Sequence, residues 1–109
     1  MSGFHNAEHE SLARKAVDGS RVLDGEDLES TEFDDAVHWH RVYGELIAFK
    51  ERLLSDMAQG LPQLPEEAAG EVKTVDMAIT RQQLERYQIR RGFWKERLEL
   101  NGERSKASL

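Results

Sequence analysis

The sequence has no cysteine, only two prolines and no long run of apolar residues. The lack of cysteine excludes disulfides, Cys-ligated zinc, iron–sulfur clusters and thiol catalysis. No stretch approaches about 18 consecutive apolar residues, so no candidate for a membrane span is present. The N-terminus has no basic region followed by an apolar stretch, so we expect no secretory signal and a cytoplasmic protein.

The composition indicates one small domain with an uneven distribution of charge. The chain has 109 residues, of which 39% are hydrophobic, and a net charge of −6. Residues 1–72 contain 6 Lys+Arg and 16 Asp+Glu, a net charge of −10, whereas residues 73–109 contain 9 and 5, a net charge of +4. The two parts therefore attract each other or serve different partners.

The first 33 residues are predicted to be an acidic, largely flexible arm. Their apolar residues are scattered, and the acidic run 24–32 has too little apolar area to offset the entropy of ordering it. A short helix over about 7–17 is plausible, because Leu12, Ala13 and Ala16 share one side.

The spacing of apolar residues predicts a first long helix over about 34–59. Thr31 is the expected N-cap, with Asp34 three residues later, and Gly60 is the expected end. Apolar positions recur every three or four residues at Trp39, Val42, Tyr43, Leu46, Ile47, Phe49, Leu53, Leu54 and Met57. At about 1.5 Å per residue, the helix would be roughly 39 Å long.

A second long helix is predicted over about 71–100, after a loop that contains Pro62 and Pro65. Thr74 and Asp76 offer a capping site near its start, and 102–109 is predicted to be a flexible tail. Joined by a loop of about ten residues, the helices must form an antiparallel hairpin, domain 34–101. Facing residues should then pair as Trp39 with Trp94, Leu46 with Tyr87, Phe49 with Leu84, and Leu53 with Ile79.

The apolar stripe of the first helix is wider than one partner helix can cover. The remaining surface requires a second hairpin, which would give a dimeric four-helix bundle, or the helices of another protein. The predicted fold class is therefore all-α, an antiparallel two-helix hairpin completed by a homodimer or a partner.

Histidines near carboxylates suggest two metal sites, and neither pattern is complete. Asp35 and His38 have the spacing of di-metal bundles, but the second helix contains no histidine, and His38 and His40 point apart. His5, Glu8 and His9 lack the His-Glu-x-x-His order and a rigid support. We expect no metal and no other cofactor.

A series of basic residues lies on the second helix, with aromatic residues among them. Such a helix can contact nucleic acid, although Glu85 and Glu99 can pair with Arg81 and Lys95 four residues earlier. The basic residues are Arg81, Arg86, Arg90, Arg91, Lys95, Arg97, Arg104 and Lys106.

Arg91 is predicted to lie on the seam between the helices, where a charge needs a partner. A buried pair with Glu45 or Asp35 would fix the register of the hairpin. Alternatively, Arg91 lies at a partner surface, where arginine and tryptophan are frequent anchors.

These patterns favour a non-enzymatic interaction module, a small regulator or adaptor. No nucleophile motif or phosphate loop is present, so no catalytic residues are expected. The expected partner-binding residues are Trp39, Tyr43, Arg90, Arg91 and Trp94. The alternatives are binding of nucleic acid or a transcription complex through the basic helix, and a metal-binding helical bundle.

Overall fold

A computed structural model describes residues 21–107 of the chain, and the side chains of 21–102. The chain order is α1 (Phe33–Gly60), a short 3₁₀ turn (Leu61–Gln63), α2 (Glu66–Glu71), one π-helical turn (Val72–Asp76) and α3 (Met77–Ala107). No strand occurs within this part of the chain. The predicted all-α class with two long helices is confirmed, whereas the short helix over 7–17 lies outside the described residues.

The first helix begins one residue earlier than predicted, and the cap differs. Glu32 occupies the N-cap position of α1 and makes no capping bond with its side chain, so the prediction of Thr31 as the cap is wrong. The start of α1 is stabilised instead by Ser30, whose hydroxyl donates to Asp35 at 2.6 Å and accepts from the Glu32 N–H at 3.2 Å. The carboxylates Asp34 and Asp35 also favour the positive end of the helix dipole.

The second helical segment is longer at both ends than the sequence predicts. Helical backbone starts at Glu66, directly after Pro65, and continues through α2 and the π-helical turn into α3. Thr74 does not cap a helix, because its hydroxyl donates to the carbonyl of Gly70 inside the continuous helix. Asn101 and Gly102 do not end α3, which extends to Ala107. Among the described residues, the link to α1 is therefore shorter than ten residues.

Aromatic residues form the contact between α1 and α3. Tyr43 faces Tyr87, with ring centroids 5.8 Å apart, and Trp39 and Trp94 belong to the same buried cluster. Leu84 packs on this cluster, whereas Phe49, its predicted partner, is 59% exposed and lies outside the cluster. The hairpin is thus confirmed, whereas its completion as a dimeric four-helix bundle remains a prediction.

Residues 21–32, which we call the N-terminal strap, lie against the hairpin. Leu23 and Leu28 pack on the aromatic cluster, and Glu26 is only 7% exposed. Gly25 has a positive φ of 83°, which turns the chain so that Glu26 points inward. This packing differs from the flexible arm expected for the part of residues 1–33 that the structure describes.

Candidate functional site

The most distinctive polar site is a buried carboxylate at the centre of the aromatic cluster. Glu26 Oε1 accepts hydrogen bonds from the Tyr43 hydroxyl at 2.6 Å and from the Leu23 N–H at 2.9 Å. Glu26 Oε2 accepts one from Trp94 Nε1 at 2.8 Å. The strap, α1 and α3 therefore each contribute a donor to one side chain.

Two arginines of α3 form hydrogen bonds with backbone carbonyls of the strap. Arg90 pairs with Glu26, with 3.3 Å between Nη1 and Oε1, and donates through Nη2 to the carbonyl of Arg21 at 3.3 Å. Arg97 donates to the carbonyl of Ser30 at 2.6 Å and lies over the ring of Phe93. Side chains of α3 thus hold both ends of the strap by carbonyl groups that have no partner within a helix.

The environment of Glu26 favours its charged form. Burial alone raises the pKa of Glu26, but the hydrogen bonds from Tyr43, Trp94 and Leu23, with the charge of Arg90, outweigh burial and lower it below its usual value. The pKa of Tyr43 is raised by burial, by its hydrogen bond to Glu26 and by the carboxylate charge. Glu26 is therefore an anion, and Tyr43 a neutral donor, throughout the physiological range.

The geometry of Glu26 suits a structural role better than a catalytic one. Its side chain has no exposed surface, and both oxygens already accept hydrogen bonds. A general acid or base must reach a proton on its substrate. In this conformation Glu26 contacts only other residues of the chain, and it ties the strap to the helix pair.

Four of the five residues predicted to bind a partner lie in the interior. Trp39, Tyr43 and Trp94 are buried in the aromatic cluster, and Arg90 is buried beside Glu26. In this conformation they contact other residues of the same chain. Their predicted use as anchors for a partner would require the strap and the helix pair to separate.

The position of Arg91 differs from the predicted seam. Its side chain is exposed, and the guanidinium lies across Gly44 of α1, 3.5–3.6 Å from the position that a Cβ would occupy. The expected buried pair with Glu45 or Asp35 is not formed. Arg90 occupies the buried position instead, because one residue along a helix changes direction by about 100°.

The histidines described by the structure do not form a metal centre. His38 is exposed and contacts the edge of Trp39, with ring centroids 4.7 Å apart, while His40 lines a groove near Arg91. Within residues 21–102 no three His, Asp or Glu side chains are grouped to hold a metal ion. His5, Glu8 and His9 lie outside the described residues.

The basic series of α3 divides between the interior and the surface. Arg86 and Arg90 are buried, and Arg97 is engaged with the strap. Arg81, Arg91 and Lys95 are exposed. No ion pair joins Arg81 to Glu85 or Lys95 to Glu99 in the part of the chain described, so the helix pairs expected from their spacing are not formed. The side chains of Arg104 and Lys106 lie outside the described set.

Comparisons of the chain with protein-family models, with curated proteins and with solved structures found no match. Over the residues that the structure describes, no helix combines the length and the apolar character needed to cross a lipid bilayer.

Sequence reasoning missed Glu26, the residue around which the site is built. An acidic run reads as a solvated segment, and a buried anion needs partners that are distant in sequence. The only local signals were Asp24-Gly25, a turn dipeptide, and the apolar Leu23 and Leu28 on either side of it. The donors on Tyr43 and Trp94 were visible as residues, but their convergence was not.

Proposed function

We propose that this protein is a non-enzymatic helical interaction module, a small regulator or adaptor, which binds a helix of another protein. The proposed surface is a stripe on α1, here called the α1 stripe, made of Val42, Leu46, Phe49 and Leu53. These residues recur at intervals of four, three and four, which places them along one side of a helix. The observation that carries the proposal is the 59% exposure of Phe49 in the middle of this stripe.

The α1 stripe contains both half-buried and exposed side chains. Val42 and Leu46 are half-buried and pack against the aromatic cluster, whereas Phe49 projects away from it. Leu53, one turn further, is also half-buried. A helix placed along the stripe would contact all four side chains, in the manner of a helix in an apolar groove. A buried aromatic side chain at the centre of such a contact is a frequent source of binding energy.

The charges beside the stripe indicate the chemistry of the partner. The Lys50 ammonium lies 5.8 Å from the centroid of the Phe49 ring. Burial, and then the charge of Arg86, lower the pKa of Lys50. A carboxylate of a partner beside Lys50 would favour its charged form. The preferred partner is therefore an amphipathic helix with acidic residues beside its apolar face.

A second copy of the hairpin is the other candidate for the stripe, and the oligomeric state separates the two. Light scattering across a dilution series gives the absolute mass of wild type and of Phe49→Asp. If a second copy covers the stripe, wild type is a dimer that Phe49→Asp dissociates. If another protein covers it, both are monomers at low micromolar concentration.

A photo-crosslinking amino acid at position 49 identifies the partner, and the same group at position 89 is the matched control. Ile89 is 69% exposed but lies on α3, away from the stripe. A partner linked through position 49 must also bind the purified wild-type chain. Phe49→Asp should weaken that binding roughly thirtyfold, since a central aromatic anchor contributes about 2 kcal/mol or more.

The two substitutions also separate binding from folding. Both side chains are exposed, so Phe49→Asp and Ile89→Asp should each change the free energy of unfolding by less than about 1 kcal/mol. Equal loss of binding in the two variants would show that the contact is not centred on the stripe. A monomer with no link specific to position 49 would contradict the proposal outright.

A further inference from the structure

The groove near His40 and Arg91 lies between α1 and α3, and its lining residues are not those that hold the strap. The groove is open to solvent and has a volume of about 510 Å³. Ile47 provides an apolar wall and Gln88 a polar one, and the other lining residues are His40, Glu51, Arg91, Gly92 and Lys95. The Arg91 guanidinium lies against α1 at Gly44, in ordinary van der Waals range of the position that a Cβ would occupy. The lining is therefore mostly polar and charged, with Ile47 as its one aliphatic side chain.

The charges in the groove are separated along its length. His40 approaches Arg91 and Lys95 closely enough for both cations to act on its protonation. Glu51 is the acidic residue of the lining, and it is eleven residues beyond His40 on α1, about 16 Å along the helix axis. One end of the groove is therefore cationic, and the other end carries a carboxylate.

The two cations at this end of the groove are not ion-paired within the part of the chain that the structure describes. Neither Arg91 nor Lys95 forms a hydrogen bond or an ion pair there, although Glu99 follows Lys95 by one turn. Burial, then Arg91 and then Lys95 lower the pKa of His40. Three nitrogen-bearing side chains thus line the same end of one groove, in a chain with a net charge of −6.

We propose that this groove binds a small organic phosphate monoester, with the phosphate between Arg91 and Lys95 and with His40 as a third donor. A phosphate monoester is close to a dianion at neutral pH, which matches two permanent cations. The arginine fork can give two parallel hydrogen bonds to phosphate oxygens. The organic part lies toward Ile47 and Gln88. Glu51 opposes a long polyanion along the groove, which favours a small phosphate over a nucleic-acid strand.

The test is a titration of the full-length chain with glycerol 3-phosphate, followed by NMR of the His40 ring protons and by calorimetry. Chloride at matched ionic strength is the reference. A bound dianion favours the imidazolium, so it raises the pKa of His40 and shifts its resonances. Arg91→Gln and Lys95→Gln should each weaken binding by about tenfold. Because both side chains are exposed, neither substitution should disturb the fold.

Arg81→Gln is the matched control, because Arg81 is an exposed cation on the same helix outside the groove. It should bind glycerol 3-phosphate as wild type does. Equal weakening by Arg81→Gln and Arg91→Gln would overturn the proposal, and so would His40 shifts no larger than those with chloride. A third arm uses a single-stranded oligonucleotide without terminal phosphates. Tighter binding of that oligonucleotide, with steep salt dependence and loss in Arg91→Gln, would overturn it in favour of a nucleic-acid surface.

Discussion

Replacing Glu26 by glutamine should remove much of the stability of the fold, although the side chain keeps its size. The substitution removes the negative charge and converts one acceptor oxygen into an NH₂ donor. Tyr43 and the Leu23 N–H donate to one oxygen, and Trp94 donates to the other. A single amide cannot accept at both positions. In either orientation, a donor in the interior faces another donor.

The magnitude follows from two overlapping losses. A buried donor that loses its acceptor costs about 1–3 kcal/mol, and breaking a buried ion pair by removing one partner costs about 3–5 kcal/mol. Arg90 is buried but keeps the carbonyl of Arg21 as an acceptor. The total effect of Glu26→Gln should therefore be near the lower end, about 3 kcal/mol. Domains of this size have a total stability of about 5–15 kcal/mol.

Urea unfolding followed by far-ultraviolet circular dichroism and by tryptophan fluorescence measures this loss. Both tryptophans, Trp39 and Trp94, belong to the cluster around Glu26, so fluorescence reports its integrity directly. Glu29→Gln is the matched control, since Glu29 is an exposed carboxylate of the same strap. It should change the free energy of unfolding by less than about 0.5 kcal/mol. Equal midpoints for the two variants would refute the account of Glu26 as a buried anchor.

Two further predictions concern the strap. Because the native pKa of Glu26 lies below its ordinary value of 4.5, its contribution to stability is complete above that value and is lost as pH falls through the native pKa. The difference in unfolding free energy between wild type and Glu26→Gln should therefore be constant near neutrality and shrink at acid pH; a difference that grows on acidification would reverse the assignment. Gly25→Ala should cost about 1 kcal/mol, because an L side chain is strained at a φ of 83°, and the expected lowering of the thermal midpoint is about 4–8 °C. Gly92→Ala, at a helical glycine with nothing within 4 Å of the added carbon, should instead stabilise the chain, so a loss there would show that glycine is needed for another reason.

The hairpin could be predicted because its signals are local. Helical periodicity is a property of residues three and four apart, and it located α1 to within one residue at each end. The start of the second helical segment was harder to predict, because Gly70 disfavours a helix and Thr74 is a typical N-cap residue. The structure carries the helix through them with one π-helical turn. No residue of 66–76 is buried, so the helix continues there through its own hydrogen bonds, including the one from the Thr74 hydroxyl to the Gly70 carbonyl.

The aromatic residues of the contact between the helices were predicted, but the buried arginine was not. The sequence alone identified Trp39, Tyr43 and Trp94 as prominent residues of an antiparallel pair. It could not fix the rotation of α3, and a rotation of one residue exchanges Arg90 for Arg91 at the buried position. The charge that pairs with Arg90 at that buried position is Glu26, on the strap.

The role of the strap depends on contacts between residues that are far apart in sequence. Glu26 lies 17 residues from Tyr43 and 68 from Trp94, so no local pattern links them. The composition of the acidic segment favours solvation when its residues are considered alone. The strap stays buried because three hydrogen-bond donors and the Arg90 guanidinium, from three parts of the chain, meet the Glu26 carboxylate. Their combined effect exceeds the cost of removing its charge from water. Local periodicity was enough to predict the helices and their pairing, whereas the packing of the strap on them depends on the long-range contacts of Glu26.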